Sequence, residues 1–337
     1  MNAYTLLLSA QLLYYLLITQ TGVVGAFDSH IHDLYTLPIG GVLGSLFAAF
    51  IKHNHIKIEL YALLFCQLLL SLFYPHYSLL WILLLGFIVG YTTPLLFFIF
   101  KDQKKINLAI GLGLSYAIGT ALYSYPFEQR DSIAFVLSVI SIASLFFLEL
   151  KPTKKIEEKM NGKIIAILVL WIFADSALFE TLSRSIDMDI WSHYTFTIIT
   201  FHIIGILTAY KYPMDVVKKH RIIFPLFLLS YLLFTIKIPI LLAIIYPFTI
   251  SYYNFSLFRY IINLNNIKTI GIAMVLVGWV ATSLANAIAL EKQIWIVYLI
   301  FALFCATFFI LNRRKYEKSN HSTHAYKRFH TRTKPQI

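Results

Sequence analysis

Twelve long apolar runs occupy almost the whole of this 337-residue chain, at 4–26, 34–51, 58–74, 78–100, 106–125, 132–150, 163–184, 190–210, 221–236, 238–260, 268–290 and 293–311. A helix needs about 20 mostly apolar residues to cross a bilayer, and these runs supply them. They are too long for the strands of a membrane barrel and lack the alternation of such strands. The runs at 221–236 and 238–260 are divided only by Lys237-Ile238-Pro239. Composition agrees. Apolar residues make up 59 % and charged residues 13 % of the chain, where a soluble domain has roughly 45–50 % and about 25 %. A soluble globule of this size cannot hide so much apolar side chain, and the same figures exclude disorder, collagen, a coiled coil and a disulfide scaffold. Cys66 and Cys305 lie within apolar runs and read as small packing residues. No basic residue precedes the first run, so it is expected to be a span and not a cleaved signal. The expected architecture is an all-α polytopic membrane protein with 12 transmembrane helices.

Lysine and arginine set the direction. With both termini in the cytoplasm, the cytoplasmic connections hold Lys52 and Lys57; Lys101, Lys104 and Lys105; Lys151, Lys154, Lys155, Lys159 and Lys163; Lys211, Lys218, Lys219 and Arg221; and Arg259 and Lys268. Eight more follow from Arg313 to Lys334, giving 24 of 28, and only Arg130, Arg184, Lys237 and Lys292 fall opposite. This is the bias expected of cytoplasmic loops. The formal charge of +12 therefore gathers on one membrane face, where topology and anionic lipid account for it without nucleic acid. Short loops and an excess of lysine over arginine point to a bacterial inner (plasma) membrane. The charged connection 151–163 follows the sixth run. The expected organisation is a six-helix bundle over 1–150, this cytoplasmic loop, a second bundle over 164–311 and a basic, disordered tail over 312–337 that carries His321, His324 and His330.

The two bundles share a pattern. At an offset of 161 residues, without a gap, Asp28, His32, Thr36, Gly44, Leu46 and Ala48 meet Asp189, His193, Thr197, Gly205, Leu207 and Ala209, and Tyr91 meets Tyr252. Six spans per copy preserve direction, so the repeat is parallel, a recurring layout of secondary transporters. Twelve spans in six plus six, a basic central loop and cytoplasmic termini resemble the major facilitator superfamily. That family usually reads G-x-L-x-D-R-x-G-R-R after span two. Here Gly44 and Leu46 fit, Ala48 stands at the Asp position, and Ile51-Lys52-His53-Asn54-His55 replaces the basic glycine turn. The glycine–proline signature of the family's antiporters is reduced to Gly111-Leu112-Gly113-Leu114-Ser115 in span five. The resemblance implies alternating access, with span seven lining a central cavity and spans five and eleven flanking the interface between halves. Small-residue stripes at Ala109, Gly113, Ala117 and Ala121, and at Ala281, Ala285 and Ala289, suit close helix packing.

Charge within hydrocarbon costs roughly 2.5–3.5 kcal/mol on insertion scales, so each such group needs a reason. Asp175 lies 12 residues past Lys163, about 18 Å into a core of roughly 30 Å. It reads as a cation site or protonatable coupling group, or else as a protonated carboxyl bonded to a neighbouring helix. Glu180 and Arg184, at i and i+4, can pair near the outer boundary, as a gate or as an ion pair that ends the helix. Asp28 with His32, and Asp189 with His193, set carboxylate and imidazole together at the outer ends of spans two and eight. Such pairs suit a first-row divalent metal or a pH-sensitive gate, with His30, Asp33 and Asp187 nearby. Helix capping alone explains the aspartates. His202, nine residues past His193, falls on the opposite face. Gln11, Thr19, Gln20 and Thr21 in span one, Tyr91, Thr92 and Thr93 before Pro94 in span four, and Tyr246, Thr249, Tyr252, Tyr253 and Asn254 in span ten outline a polar, aromatic lining. The expected substrate and coupling residues are Asp175, Glu180, Arg184, Gln20, Tyr91, Thr93, Tyr253 and Asn254.

The expected function is secondary active transport, coupled to protons through Asp175 or Glu180. The expected solute is a small cation: a transition metal, its chelate or an organic cation. No G-x4-G-K-[ST] loop offers ATP drive, no cofactor is expected, and the partners are the solute and the lipid bilayer. Two other readings stand beside it. Degenerate family loops suit a non-transporting assembly or receptor protein on a transporter scaffold. Ser115 with His202 would suit an intramembrane serine enzyme, for which twelve spans are too many. The sequence sets no oligomeric state.

Overall fold

Inside hydrocarbon every backbone N–H and C=O must find its partner within the segment, and helices achieve this. The computed structural model of the protein describes residues 2–24, 35–149 and 160–305, and its regular structure among those residues is helical. In chain order the long helices are α1 (Ala3–Val24), α2 (Thr36–Phe50), α3 (Ile56–Ser71), α4 (Leu79–Phe100), α5 (Lys105–Ala121), α6 (Asp131–Phe146), α7 (Gly162–Ser183), α8 (Thr195–Lys211), α9 (Val216–Thr235), α10 (Pro239–Ile262), α11 (Ile267–Leu290) and α12 (Trp295–Cys305). Of these, α1, α4, α7, α10 and α11 are long and apolar enough to cross a membrane by length and composition. Met1–Lys292, containing α1–α11, forms one unit, and α12 belongs to a second that begins at Gln293.

Helix ends follow local chemistry. Asn2, Asn161, Asp215 and Asn266 cap α1, α7, α9 and α11 by accepting backbone N–H bonds in the first turn. The Asp215 cap starts α9 at Val216, earlier than the apolar run alone indicates. The break between α9 and α10 falls at Lys237, whose φ of 54° is left-handed, and Pro239 opens α10. Large apolar side chains such as Phe65, Phe146, Phe147, Phe196 and Leu284 are more than half exposed, an exterior suited to lipid.

The repeat seen in the sequence is also a repeat of contacts. Helix α2 packs on α4, and α8 packs on α10. A Cβ at Gly44 would collide with the carbonyl oxygen of Phe87, and one at Gly205 would lie 2.6 Å from that of Phe248. Phe87 and Phe248 are themselves 161 residues apart, so both the glycine and the atom it approaches recur. The two sets of helices meet through equivalent pairs, α2 with α11 and α8 with α5. Trp279 of α11 lies over Gly41 of α2 and donates from Nε1 to Ser45 Oγ at 3.1 Å. The alanines of the α11 stripe, Ala281, Ala285 and Ala289, are buried where α11 packs on α7.

Two stretches depart from α geometry. Tyr15–Val24 of α1 and Val275–Val280 of α11 are π-helical, a form that concentrates at functional sites. The buried Arg130 ties the first of these down. Its guanidinium donates to Leu17 O at 2.9 Å, Thr21 Oγ1 at 2.8 Å, Tyr123 O at 2.6 Å and Tyr125 O at 3.1 Å. Two other basic residues of the sparsely charged side are also engaged: Arg184 pairs with Glu180 and Lys237 with Asp187.

Candidate functional site

Asp175 sits on α7, and α10 presents two tyrosines to it. Tyr246 and Tyr253 are seven residues apart and so share one helix face. Tyr246 donates to Asp175 Oδ1 at 2.8 Å, and the Tyr253 hydroxyl bonds Oδ2. Each carboxylate oxygen therefore has a hydroxyl. Tyr231 of α9 braces the same turn by donating to Ala174 O at 2.8 Å.

This group borders a cavity of about 220 Å³ between the repeat-related sets of helices. From α1 it is lined by Gln11, Tyr15, Gln20 and Thr21; from α5 by Tyr116 and Thr120; from α11 by Trp279 and Thr282. The two tetrad faces of α4 and α10 correspond position by position. Val89, Thr93, Leu96 and Phe97 line it from α4; Ile250, Asn254, Leu257 and Phe258, each 161 residues later, line it from α10. His202 of α8 completes the wall. Its Nδ1 is 2.7 Å from Ser251 Oγ, and its ring stacks on Tyr116 with centroids 4.6 Å apart. Trp191 lies nearly parallel to that imidazole at 6.5 Å. Its buried Nε1–H has no hydrogen-bond partner among the described residues. The lining holds one carboxylate, one imidazole and, among the described residues, no lysine or arginine.

The halves touch on both sides of the membrane. On the sparsely charged side Arg184 Nε donates to Glu180 Oε1 at 2.5 Å and Nη2 reaches across to Val24 O at 3.1 Å, while Ser124 and Ser192 hydroxyls lie 3.3 Å apart. On the lysine-rich side Phe97 meets its own repeat partner, Phe258, with ring centroids 5.2 Å apart.

Of the residues expected from sequence, the cavity gathers Asp175, Gln20, Thr93, Tyr253 and Asn254. Glu180 and Arg184 form the ion pair at the end of α7 and are not lining residues. Tyr91 does not line the cavity either. Its hydroxyl donates to Glu59 Oε2 at 3.0 Å, a carboxylate that also meets His53 Nδ1 at 2.5 Å. The lining Thr93 is two positions on from Tyr91, about 200° around the helix, so the two face apart. The Asp189–His193 pair also needs correction. Asp189 caps a separate four-residue turn, Ile190–His193, accepting from Trp191 N and Ser192 N at 3.2 Å each, and α8 starts only at Thr195. His193 is exposed at the end of that turn. Asp28 and His32 lie outside the described residues, as do His30, Asp33, residues 150–159 and the basic tail. Among the described residues no group of three or more His, Cys, Asp or Glu side chains could hold a metal. Ser115 Oγ is engaged by its own helix, donating to Gly111 O and Leu112 O at 3.0 Å. Tyr15, Tyr116, Trp191, Trp279 and Thr282 are among the lining residues that reading the sequence missed. Trp191 stands in the centre of the Asp189–His193 pattern, where attention to the polar pair passes over it.

No protein-family model matches the chain, and no curated protein matches it. Its structure is similar to that of the human organic anion transporter MFSD10 (TETRAN), with a TM-score of 0.61 and 14 % identity over 87 % of this chain and 92 % of the other. It is also similar to a D-xylose-proton symporter, with a TM-score of 0.56 and 14 % identity over 91 % of this chain and 96 % of the other. The chain thus has the major facilitator superfamily fold, an all-α membrane architecture.

Proposed function

We propose that this chain, with its major facilitator fold, is a secondary active transporter that carries a small organic cation by alternating access and couples it to protons through Asp175. One observation carries the reading: the cavity between the halves has a single carboxylate, aromatic walls and, among the described residues, no lysine or arginine. At low dielectric a carboxylate attracts a cation far more strongly than in water. The rings add cation–π attraction of about 0.5–2 kcal/mol. An anionic solute would face repulsion with no cation to offset it. Two tyrosine hydroxyls already occupy the carboxylate oxygens, which favours a diffuse organic cation over a bare transition metal that demands several ligands of its own. A proton on Asp175 and a cation beside it exclude one another, so one group ties the two fluxes together. The 24-to-4 distribution of basic residues supports a plasma (inner) membrane location with both termini cytoplasmic.

The test is counterflow in proteoliposomes containing the full chain, with a panel of organic cations, transition metals, metal chelates, sugars and organic anions. Organic cations are expected to exchange. Asp175→Asn is expected to weaken binding at least tenfold, about 1.4 kcal/mol, and to abolish drive by a pH gradient. Ser115→Ala is expected to transport normally. Exchange of anions or sugars alone, or unchanged flux in Asp175→Asn, removes the reading.

A further inference from the structure

A second, smaller cavity of about 40 Å³ lies between α1, α2 and α11. It shares Tyr15, Gln20, Trp279 and Thr282 with the main cavity, so these four form the partition between the two. A single water needs roughly 10–15 Å³ on this measure, so the chamber has room for a small occupant. Its wall is mainly apolar and aromatic, and set in it are the neutral oxygen-bearing side chains of Thr19, Gln20, Thr282, Ser283 and Asn286; among the described residues no carboxylate, lysine or arginine lines it.

Thr19 is the telling group. It is 1 % exposed, and its hydroxyl has no hydrogen-bond partner among the described residues. Several threonines on regular helices here bond one turn back, as Thr93 does on Val89 O and Thr181 on Ala177 O; Thr92 of α4 is, like Thr19, buried without a partner among the described residues, but it lines neither cavity. Thr19 belongs to the π-helical stretch of α1, where Thr21 reaches five residues back to Leu16 O and Thr19 has no partner among the described residues. A buried hydroxyl left without a partner costs about 1–3 kcal/mol. Thr19, unlike Thr92, borders a chamber with other neutral oxygens in its wall, where an occupant would relieve that cost.

We propose that this chamber binds one monovalent metal cation of sodium size, separately from the organic solute. Rings of neutral oxygens replace the hydration shell of monovalent ions in membrane proteins, whereas calcium and magnesium take carboxylate ligands. The threonine and serine hydroxyls and the side-chain carbonyls of Gln20 and Asn286 supply such oxygens. Thr282 accepts from Ser176 Oγ at 3.4 Å, which ties this wall of the chamber to α7. The ligands come from α1 on one half and α11 on the other, so an ion held here ties the halves together and shifts their equilibrium by its differential affinity for the two arrangements.

The experiment uses the purified full chain without any organic solute. Binding of radioactive sodium and thermal midpoints are measured in NaCl, LiCl and KCl at equal ionic strength. Sodium is expected to bind saturably and to raise the midpoint above that in KCl. Thr19→Val and Asn286→Leu are expected to weaken sodium binding at least tenfold, while Asn286→Asp, which adds a carboxylate, tightens it. Asp175→Asn is expected to lose the organic solute and to keep a sodium site, so failure of the organic-cation reading leaves this result separate. Identical midpoints in the three salts with no saturable sodium, the signature of a chamber filled by water only, overturn the proposal. So does sodium binding that is the same in Asn286→Asp and Asn286→Leu as in the parent.

Discussion

Gly271 offers a direct test of whether the two halves move. It lies on α11 opposite the lysine-rich end of α2. A Cβ there would stand 2.7 Å from Ser45 O and 2.9 Å from Ala49 Cβ, both on the other half. Real Cβ contacts do not go below 3.0 Å, so Gly271→Ala demands a retreat of at least 0.3 Å (3.0 − 2.7) against backbone. Overpacking of this kind costs typically about 1–3 kcal/mol. Alanine also gains about 1 kcal/mol of helix propensity. That gain is present wherever α11 stays helical, so it cancels between conformations and leaves the steric penalty on those in which α2 and α11 touch. If the halves rock, the population shifts away from the present arrangement by about 5- to 150-fold. Pulsed EPR distances between spin labels at the exposed Asn54 and Asn263, with Cys66 and Cys305 replaced by serine, read the shift. The control is Gly205→Ala, whose collision with Phe248 O lies within one half. It is expected to lower the melting temperature without moving the distance distribution. A folded Gly271→Ala protein with the parent's distribution refutes rocking about this contact.

Three further outcomes follow from the same geometry. Gly44→Ala is expected to destabilise more than Gly205→Ala, because its Cβ would approach the carbonyl of Phe87 more closely than that of Gly205 approaches Phe248; thermal melting in detergent ranks the two. Arg184→Ala removes the guanidinium from Glu180, which is 2 % exposed, and is expected to cost about 3 kcal/mol, the low end for breaking a buried pair, with Glu180→Gln/Arg184→Gln recovering most of it in the same melts. Asp215 accepts the backbone N–H of Lys218, and that bond first, then the Lys218 charge, holds its carboxyl below the usual range. A depressed folded value means the cap contributes fully above the unfolded value of about 4 and fades as pH falls through the folded one. The stability gap between the parent and Asp215→Ala is therefore expected to be wide at neutral pH and to narrow on acidification, as pH-dependent melting will read.

Sequence made the architecture legible because a bilayer demands long apolar runs, and because a parallel repeat forces equal offsets on equal contacts. The offset found from Gly44 and Gly205 also relates Phe87 to Phe248 and Phe97 to Phe258, pairs that only the structure brings into view. The candidate site was harder to read for the opposite reason: Asp175 and the groups around it stand where the copies differ. Asp175 stands at the position of Tyr14, Tyr246 at that of Leu85, Tyr253 at that of Thr92 and His202 at that of Gly41. A search for identities passes over all four. It retains Tyr91 and Tyr252, which in both halves turn away from the cavity, one to Glu59 and the other beneath the Lys219 amine at 5.0 Å. The repeat thus builds the frame from shared positions, and identical pairs such as Leu96/Leu257 and Phe97/Phe258 also line the cavity, while the groups around Asp175 stand at divergent positions. Gly41 shows the consequence: where α8 carries an imidazole, α2 carries no side chain, and the space is filled by Trp279 from the other half. One repeat position thus carries a cavity-lining imidazole in one half and a glycine covered by Trp279 in the other, so the two flanks of the cavity are not copies of each other although the helices that build them are.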